Sequence, residues 1–473
     1  MRGASRAGAA LATALGLLAA GCGGGGGGDG AASSAEPPAT VPAPAGTVDV
    51  RVVDGDTGEP VAGAVVTGFR GTTRVARTTS GADGRAAVPE GTRVVRASAA
   101  GRSPRPARAR VAGASVEVEL YQPALQSPEY GGGPERDRHV PGAGTGDVPR
   151  GRPAWTWESR TLLEFPPAVS EGLVAIGNNA GRIYALDADT GELRWARRQP
   201  GEVASTPAIA GGRVFLASMS GRLTAYTAGA GRRVWQHDTG SPIESSPLVH
   251  EGLVYVGDWS GTLSAVDAAT ERVRWTWEAG ADIKGSVALA GGLIVVGDYG
   301  GRVHALDPRT GAVRWRYAGG QRFYGGPAVS GDTIVIGDVG GAVIALDAGT
   351  GAERWRHRAG GYVYSTAAIA DGAAFIGSYS GRFEALDLRT GAVRWSFDAG
   401  ERISGSATVV GDVVYTSVLY RPGAPRRTFG LDVGTGAVRW RGDDGRYSPA
   451  VAAGRTLYMV GVRTLRAHRP ASP

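Results

Sequence analysis

The chain predicts an all-β protein: an eight-bladed β-propeller, with seven blades as the alternative, preceded by a small β-sandwich. Three observations predict it. Tryptophan recurs every forty residues, at Trp155, Trp195, Trp235, Trp275, Trp315, Trp355 and Trp395, and Trp440 follows after forty-five. A period this regular marks one structural unit copied in tandem. Each copy carries four short runs of strand character, the number in a propeller blade. The 78 glycines recur largely at turns between those runs, which is the chemistry of hairpins and not of a structureless chain.

The core of the unit reads YALDADTGELRW (184–195), SAVDAATERVRW (264–275), HALDPRTGAVRW (304–315), IALDAGTGAERW (344–355), EALDLRTGAVRW (384–395) and FGLDVGTGAVRW (429–440), with a looser TAYTAGAGRRVW (224–235). Each is a strand, a D-x-x-TG turn and a second strand ending on tryptophan. The aspartate is placed to bond the turn's N–H groups, and the glycine supplies the left-handed residue of a bulged hairpin. The tryptophan is large enough to fill the gap between neighbouring blades. Thr227 stands where the others have aspartate and Glu271 where they have glycine, so those two turns are expected to be weaker. Seven cores make seven blades. The eighth is expected to close by splicing, with 446–453, 456–462 and 464–470 giving three strands and AWTWES (154–159) the fourth, because Trp155 keeps the register.

Ahead of the repeats, Arg2 and Arg6 precede a small-residue apolar stretch, 7–20, too short and too alanine-rich to span a membrane. LLAAGC (17–22) resembles a bacterial lipobox, with Ala19 where that motif prefers leucine. The resemblance implies a signal peptide over 1–21 and lipidation at Cys22, the chain's only cysteine, which rules out an intrachain disulfide. Residues 22–46 form a Gly/Ala/Pro tether. Alternating runs over 47–121 predict the sandwich. Its D-x-x-TGEPVAGAxV, T-x-x-DGRA and V-E-V-E-L sequences resemble the carboxypeptidase regulatory-like domain, which implies a structural or binding module without catalytic residues. The Pro/Gly-rich stretch 122–152 reads as a linker, and the propeller as 153–470.

The ALDxxTGxxxW cores resemble the PQQ-like, BamB-type propeller repeat over about 155–469. Aligned on Pro207, the repeats place Glu164, Ala204, Glu244, Lys284, Tyr324, Tyr364, Ser404 and Arg446 at one position. Leu162, Glu202, Pro242, Asp282, Arg322, Tyr362, Arg402 and Asp444 lie two residues earlier. Strand alternation points both sets toward one face of the channel. The candidate binding residues there are Glu164, Glu244, Lys284, Arg322, Tyr324, Tyr362, Tyr364 and Arg446. Lys284 beside Glu244 reads as an ion pair, and Phe323 joins the tyrosines on the aromatic side. Asp258, Asp298 and Asp338 read as caps of their own turns, so no metal site is assigned. The insertion around 421–427 adds to the same face.

Net charge is +7 at pH 7, but Lys284 is the only lysine and the arginines recur at spaced positions such as Arg194, Arg274, Arg314 and Arg394. Such spacing reads as a solvated face, and nucleic-acid binding is not expected. No HExxH, P-loop, CxxC or GxSxG pattern is present. The reading is therefore a non-catalytic, lipid-anchored extracytoplasmic scaffold, a monomer at the membrane, whose channel mouth recognises protein, peptide or glycan. The alternative is a quinoprotein dehydrogenase oxidising alcohols or sugars, which would need PQQ and Ca²⁺. The resemblance sets that alternative back, because many such enzymes stack the cofactor on an adjacent-cysteine disulfide and carry long inserted loops. No cofactor is expected.

Overall fold

The computed structural model describes residues 46–103, 107–141, 148–149, 152–419, 427–443, 447 and 449–469. Cys22, Arg446 and residues 421–426 of the insertion therefore lie outside the described residues. The described chain is all-β apart from one short 3-10 turn, Pro123–Leu125.

Two sheets share an N-terminal core. Thr47–Asp54 is the centre of one, between Arg85–Pro89 and Ser115–Leu120; Val65–Arg70 and Val94–Ser98 are the centre of the other. Alternate residues Val48, Val50 and Val52 meet Val66, Val95 and Leu120 in one apolar cluster, as period-two patterning requires. Thr73–Thr79 is an outer strand with no fully buried residue. Hydrophobic alternation has little to mark there.

Eight further sheets follow. Six are antiparallel and built from four consecutive strands, beginning with Ala168–Ser170, Leu173–Gly177, Arg182–Asp187 and Leu193–Arg198. The seventh, from Thr408–Val410 to Val438–Gly442, gains His139–Val140 as a fifth strand in parallel with Thr408–Val410. The last takes Ala450–Ala453, Thr456–Val460 and Thr464–His468 from the end of the chain and Trp155–Glu158 from before the ring, with Trp155 opposite Ala467. Innermost strands of neighbouring sheets adjoin, and Ala450–Ala453 returns to adjoin Ala168–Ser170. The register shifts by one residue inside each hairpin that ends on tryptophan, as between Ala185 and Leu186, which is the bulge the TG turn makes.

Seven of the tryptophans tie one sheet to the next. The indole N–H of Trp195 donates to Ala228 O at 2.7 Å, Trp235 to Ala268 O at 3.0 Å, Trp315 to Ala348 O at 3.0 Å and Trp395 to Val433 O at 2.9 Å. Trp155 makes the same bond to Ala188 O at 3.0 Å across the closure. Glycine stands opposite six of these rings: a Cβ on Gly191, at φ 72°, would stand 2.6 Å from Trp155. Glu271 occupies the same left-handed conformation, at φ 70°, without glycine's freedom. Glu271→Gly is therefore expected to stabilise the protein by about 1 kcal/mol, read as a raised urea midpoint at unchanged slope.

The turn aspartates bond as their position demands. Asp187 Oδ1 accepts from Asp189 N at 3.0 Å and Thr190 N at 2.9 Å, while Arg194 reaches Oδ2 at 2.6 Å. Asp267–Arg274, Asp307–Arg314 and Asp387–Arg394 repeat the pair. The spaced arginines are thus each neutralised within their own hairpin. Thr227 replaces this set with one bond from Arg232 N at 3.1 Å.

The stretch that reads as a linker is, over 126–140, built into the centre of the ring. Innermost-strand N–H groups forty residues apart donate to it in turn: Val169 to Ser127 O, Ile209 to Pro128 O, Leu289 to Pro134 O, Val329 to Glu135 O, Ile369 to Asp137 O and Val409 to Arg138 O, at 2.7 to 2.9 Å. Val249 donates to the Glu129 carboxylate at 3.0 Å, and Ser127 Oγ reaches Ala452 O in the eighth sheet at 2.7 Å. Apart from Thr408–Val410, which pairs with His139–Val140, an innermost strand has no strand on its lumen side, and a buried N–H without an acceptor costs about 1–3 kcal/mol. This segment supplies the acceptors.

Candidate functional site

The residues that enter each innermost strand build one end of the channel. They are irregular chain and not strand: the inner strand itself is only three residues, as in Leu248–His250. The entering chain is held by bonds to both flanking sheets: Ile283 N donates to Asp258 O of the preceding sheet at 2.9 Å, and Asp282 O accepts from Tyr299 N of the following one at 2.9 Å. Alternation along a strand therefore does not set the side-chain directions. Of the eight candidate residues, Glu164, Glu244, Lys284, Tyr324 and Tyr364 line one cavity of about 100 Å³. Arg322 and Tyr362 stand outside it, at the rim. Phe323 points the other way, fully buried between sheets against Gly297.

Below that ring lies a belt absent from the sequence reading. Thr206 N donates to Ser246 Oγ at 3.0 Å, Ser246 N to Ser286 Oγ at 2.9 Å, and Thr366 N to Ser406 Oγ at 2.8 Å. Each pair is forty residues apart. The repeated hydroxyl position was visible in the alignment of repeats and is the signal that finds it.

The floor is the central segment. Tyr130 OH lies 2.8 Å from Ser406 Oγ, and Arg138 stacks 4.7 Å from the Tyr130 ring centre. Arg136, fully buried, donates to Val287 O at 3.0 Å and Pro247 O at 3.1 Å and also bonds Tyr130 O. Arg138 donates to Thr408 Oγ1 at 2.9 Å and to Ala407 O. Both arginines hold left-handed backbone, at φ 58° and 56°, a strained state for a residue with a Cβ that the surrounding bonds impose. Nothing in their residue types distinguishes this stretch from a solvated linker.

Lys284 and Glu244 form no ion pair within 4.0 Å among the described residues. Instead Lys284 Nζ sits 3.8 Å from the Trp259 ring centre and 4.6 Å from that of Tyr299, a cation–π cage. Both Glu244 oxygens are already engaged, by the Trp259 indole N–H at 3.2 Å and by the Tyr324 hydroxyl. Burial, reinforced by the Glu244 charge, raises the Tyr324 phenol and pushes Tyr299 up to about 12, so both are protonated donors at neutral pH. Asp258 Oδ1 accepts from Ser260 N at 2.9 Å and Thr262 N at 3.1 Å, and Asp338 Oδ1 from Ala342 N at 2.8 Å. Asp298 caps its turn likewise and meets His304 Nε2 at 2.8 Å. No group of three His, Cys, Asp or Glu side chains suited to a metal occurs among the described residues.

Two carboxyls set a pH response. Asp56 joins the N-terminal sheets to the central segment by accepting from Gln126 Nε2 at 2.6 Å, and it also accepts from Gln122 N at 2.7 Å. Burial pushes Asp56 and Asp137 each up to about 6. A raised carboxyl binds its proton in the folded state first, so stability rises as pH falls from 7 toward 5. The turn carboxylates Asp267, Asp307 and Asp387, held down at about 2 by their arginines, lose their contribution only below the ordinary value of 3.8. Urea unfolding is expected to show maximal stability near pH 5, and Asp56→Asn to flatten the limb between 5 and 7.

Ring, belt and closed floor define a β-propeller with a blind polar cup on its axis. The chain belongs to the family described as outer membrane protein assembly factor BamB, whose repeats match residues 145–276, 220–322 and 299–457. Among solved structures, BamB from Moraxella catarrhalis is similar at 17% identity and TM-score 0.59, covering 68% of this chain and 100% of its own. The computationally designed Ika8 protein is similar at 18% identity and TM-score 0.60, covering 67% and 100%. Quinohemoprotein alcohol dehydrogenase from Comamonas testosteroni is similar at 15% and 0.61, covering 74% and 81%. At such identities the likeness is one of fold. No curated protein matches the chain in sequence. Among the described residues no helix is long and apolar enough to cross a membrane.

Proposed function

We propose that this protein is a non-catalytic scaffold, an eight-bladed propeller held on the extracytoplasmic face of a membrane by a lipid on Cys22. In this reading the mouth of its channel binds a macromolecular partner, and the two N-terminal sheets are a carboxypeptidase regulatory-like module docked against the ring. The observation that carries the reading is the closed floor. Residues 126–140 fill the channel and leave about 100 Å³, against the roughly 300–1,000 Å³ of ordinary small-molecule pockets. The rim around that cup is broad, aromatic and polar, which suits a surface contact.

The dehydrogenase alternative needs a tricyclic quinone and Ca²⁺ at this position. Ca²⁺ takes about 6–8 oxygen ligands, whereas the cup's carboxylates are Glu164 and Glu244, and Glu244 already accepts from Trp259 and Tyr324. These residues do not fit that pair. The deciding experiment installs a photo-crosslinking residue at Arg322 in the anchored protein and, in parallel, titrates the purified chain with PQQ and Ca²⁺. A discrete crosslinked partner supports the scaffold. Saturable quinone uptake with dye-coupled alcohol oxidation replaces it with the dehydrogenase.

A further inference from the structure

We propose that the ligand of the mouth is a saccharide, stacked on the tyrosines of the fourth to sixth sheets and read through its hydroxyls by Lys284 and the ring's polar groups. This rests on the binding reading above and names the ligand class.

The aromatic half of the mouth is continuous. Tyr299 contacts Tyr324 at 6.1 Å between ring centres, Tyr324 contacts Tyr364 at 4.9 Å, and Tyr364 contacts Tyr379 at 4.8 Å. Tyr362 meets both Tyr364 and Tyr379 and is itself 53% exposed. An exposed ring buttressed by other rings is already ordered, so little side-chain entropy remains to be lost on binding. Its face offers apolar area to the C–H side of a sugar ring while its hydroxyl stays wet.

The polar half carries both signs and both hydrogen-bonding senses. The Lys284 ammonium is held in place by Trp259 and Tyr299, and no hydrogen bond uses its three protons among the described residues. Glu244 lies on the same cup, and Arg322 and Asp282 act on Tyr299 with opposite signs. A strongly charged ligand therefore meets charges of both signs at this mouth. A polyol suits both, because each of its hydroxyls both donates and accepts. A peptide adding as a strand finds no free inner edge: the lumen N–H groups of seven inner strands are already bonded to residues 127–138.

The test titrates the full-length chain with cellotetraose, chitotetraose and maltotetraose by calorimetry, alongside tetraglutamate and tetralysine peptides. Saturable binding of at least one oligosaccharide is expected, weakened about tenfold by Tyr362→Ala and unchanged by Leu193→Ala, which lies on an exposed hairpin strand. Because Tyr362 is exposed, its variant should keep the parent melting curve. No saturable oligosaccharide binding by the folded protein overturns the inference, as does a Tyr362→Ala variant that binds as the parent does. If the peptides bind and the sugars do not, the saccharide assignment fails and the scaffold reading survives.

Discussion

Trp155→Ala is expected to lower the unfolding free energy by about 3–5 kcal/mol, the cost of deleting a buried large aromatic side chain. The indole is 8% exposed and packs on Gly191, on Tyr458 at 5.8 Å, and on the first sheet through Ala188 O. It belongs to Trp155–Glu158, the only strand of the eighth sheet taken from ahead of the ring. Its loss therefore weakens the seam where the two ends of the ring meet, as well as one packing contact. Trp155→Phe keeps the stacking and loses the hydrogen bond, so it should cost about 1 kcal/mol beyond the lost area. Leu193→Ala, at a residue 53% exposed, should stay within about 0.5 kcal/mol. Urea unfolding of the three variants measures this. A Trp155→Ala variant no less stable than Leu193→Ala would show that the seam does not depend on the indole.

Arg136→Leu is expected to cost about 3–5 kcal/mol, as breaking a buried charged network does. The substitution strands the carbonyls of Val287, Pro247 and Tyr130 without a donor. It also removes the positive charge that offsets Glu129, whose carboxyl burial already raises. The double variant Arg136→Leu, Glu129→Gln tests the second part separately. Glutamine still accepts from Val249 N but carries no charge, so the double variant should be more stable than Arg136→Leu alone by about 1–3 kcal/mol. Equal stabilities would remove Glu129 from the account and leave only the stranded carbonyls.

Much of the ring was legible because its determinants are side chains that repeat. The forty-residue tryptophan spacing, the D-x-x-TG turns and the in-register Trp155 all report contacts that recur from sheet to sheet. The left-handed site of Glu271 was legible as a departure from glycine. The central segment was not, because the ring recognises its carbonyl oxygens, which every residue type possesses. Pro128, Pro134 and the glycines between them read equally well as a tether. At the mouth, alignment brought Glu164, Glu244, Lys284, Tyr324 and Tyr364 together correctly. It misdirected Phe323, because the entering chain is irregular and strand alternation does not apply. The choice of Trp259 and Tyr299 over Glu244 as the partner of Lys284 depends on distances of a few ångströms that no spacing encodes.

The central segment also bears on how the chain folds. Residues 126–140 and 155–158 are made before any complete sheet of the ring, yet each finds its partners only when later sheets exist. Neither end of the repeat array is then free to fray or to accept another copy, so the nearest-neighbour additivity of open repeat proteins should not hold. Unfolding is expected to be a single cooperative event, and removal of one internal repeat should abolish the fold instead of shortening it.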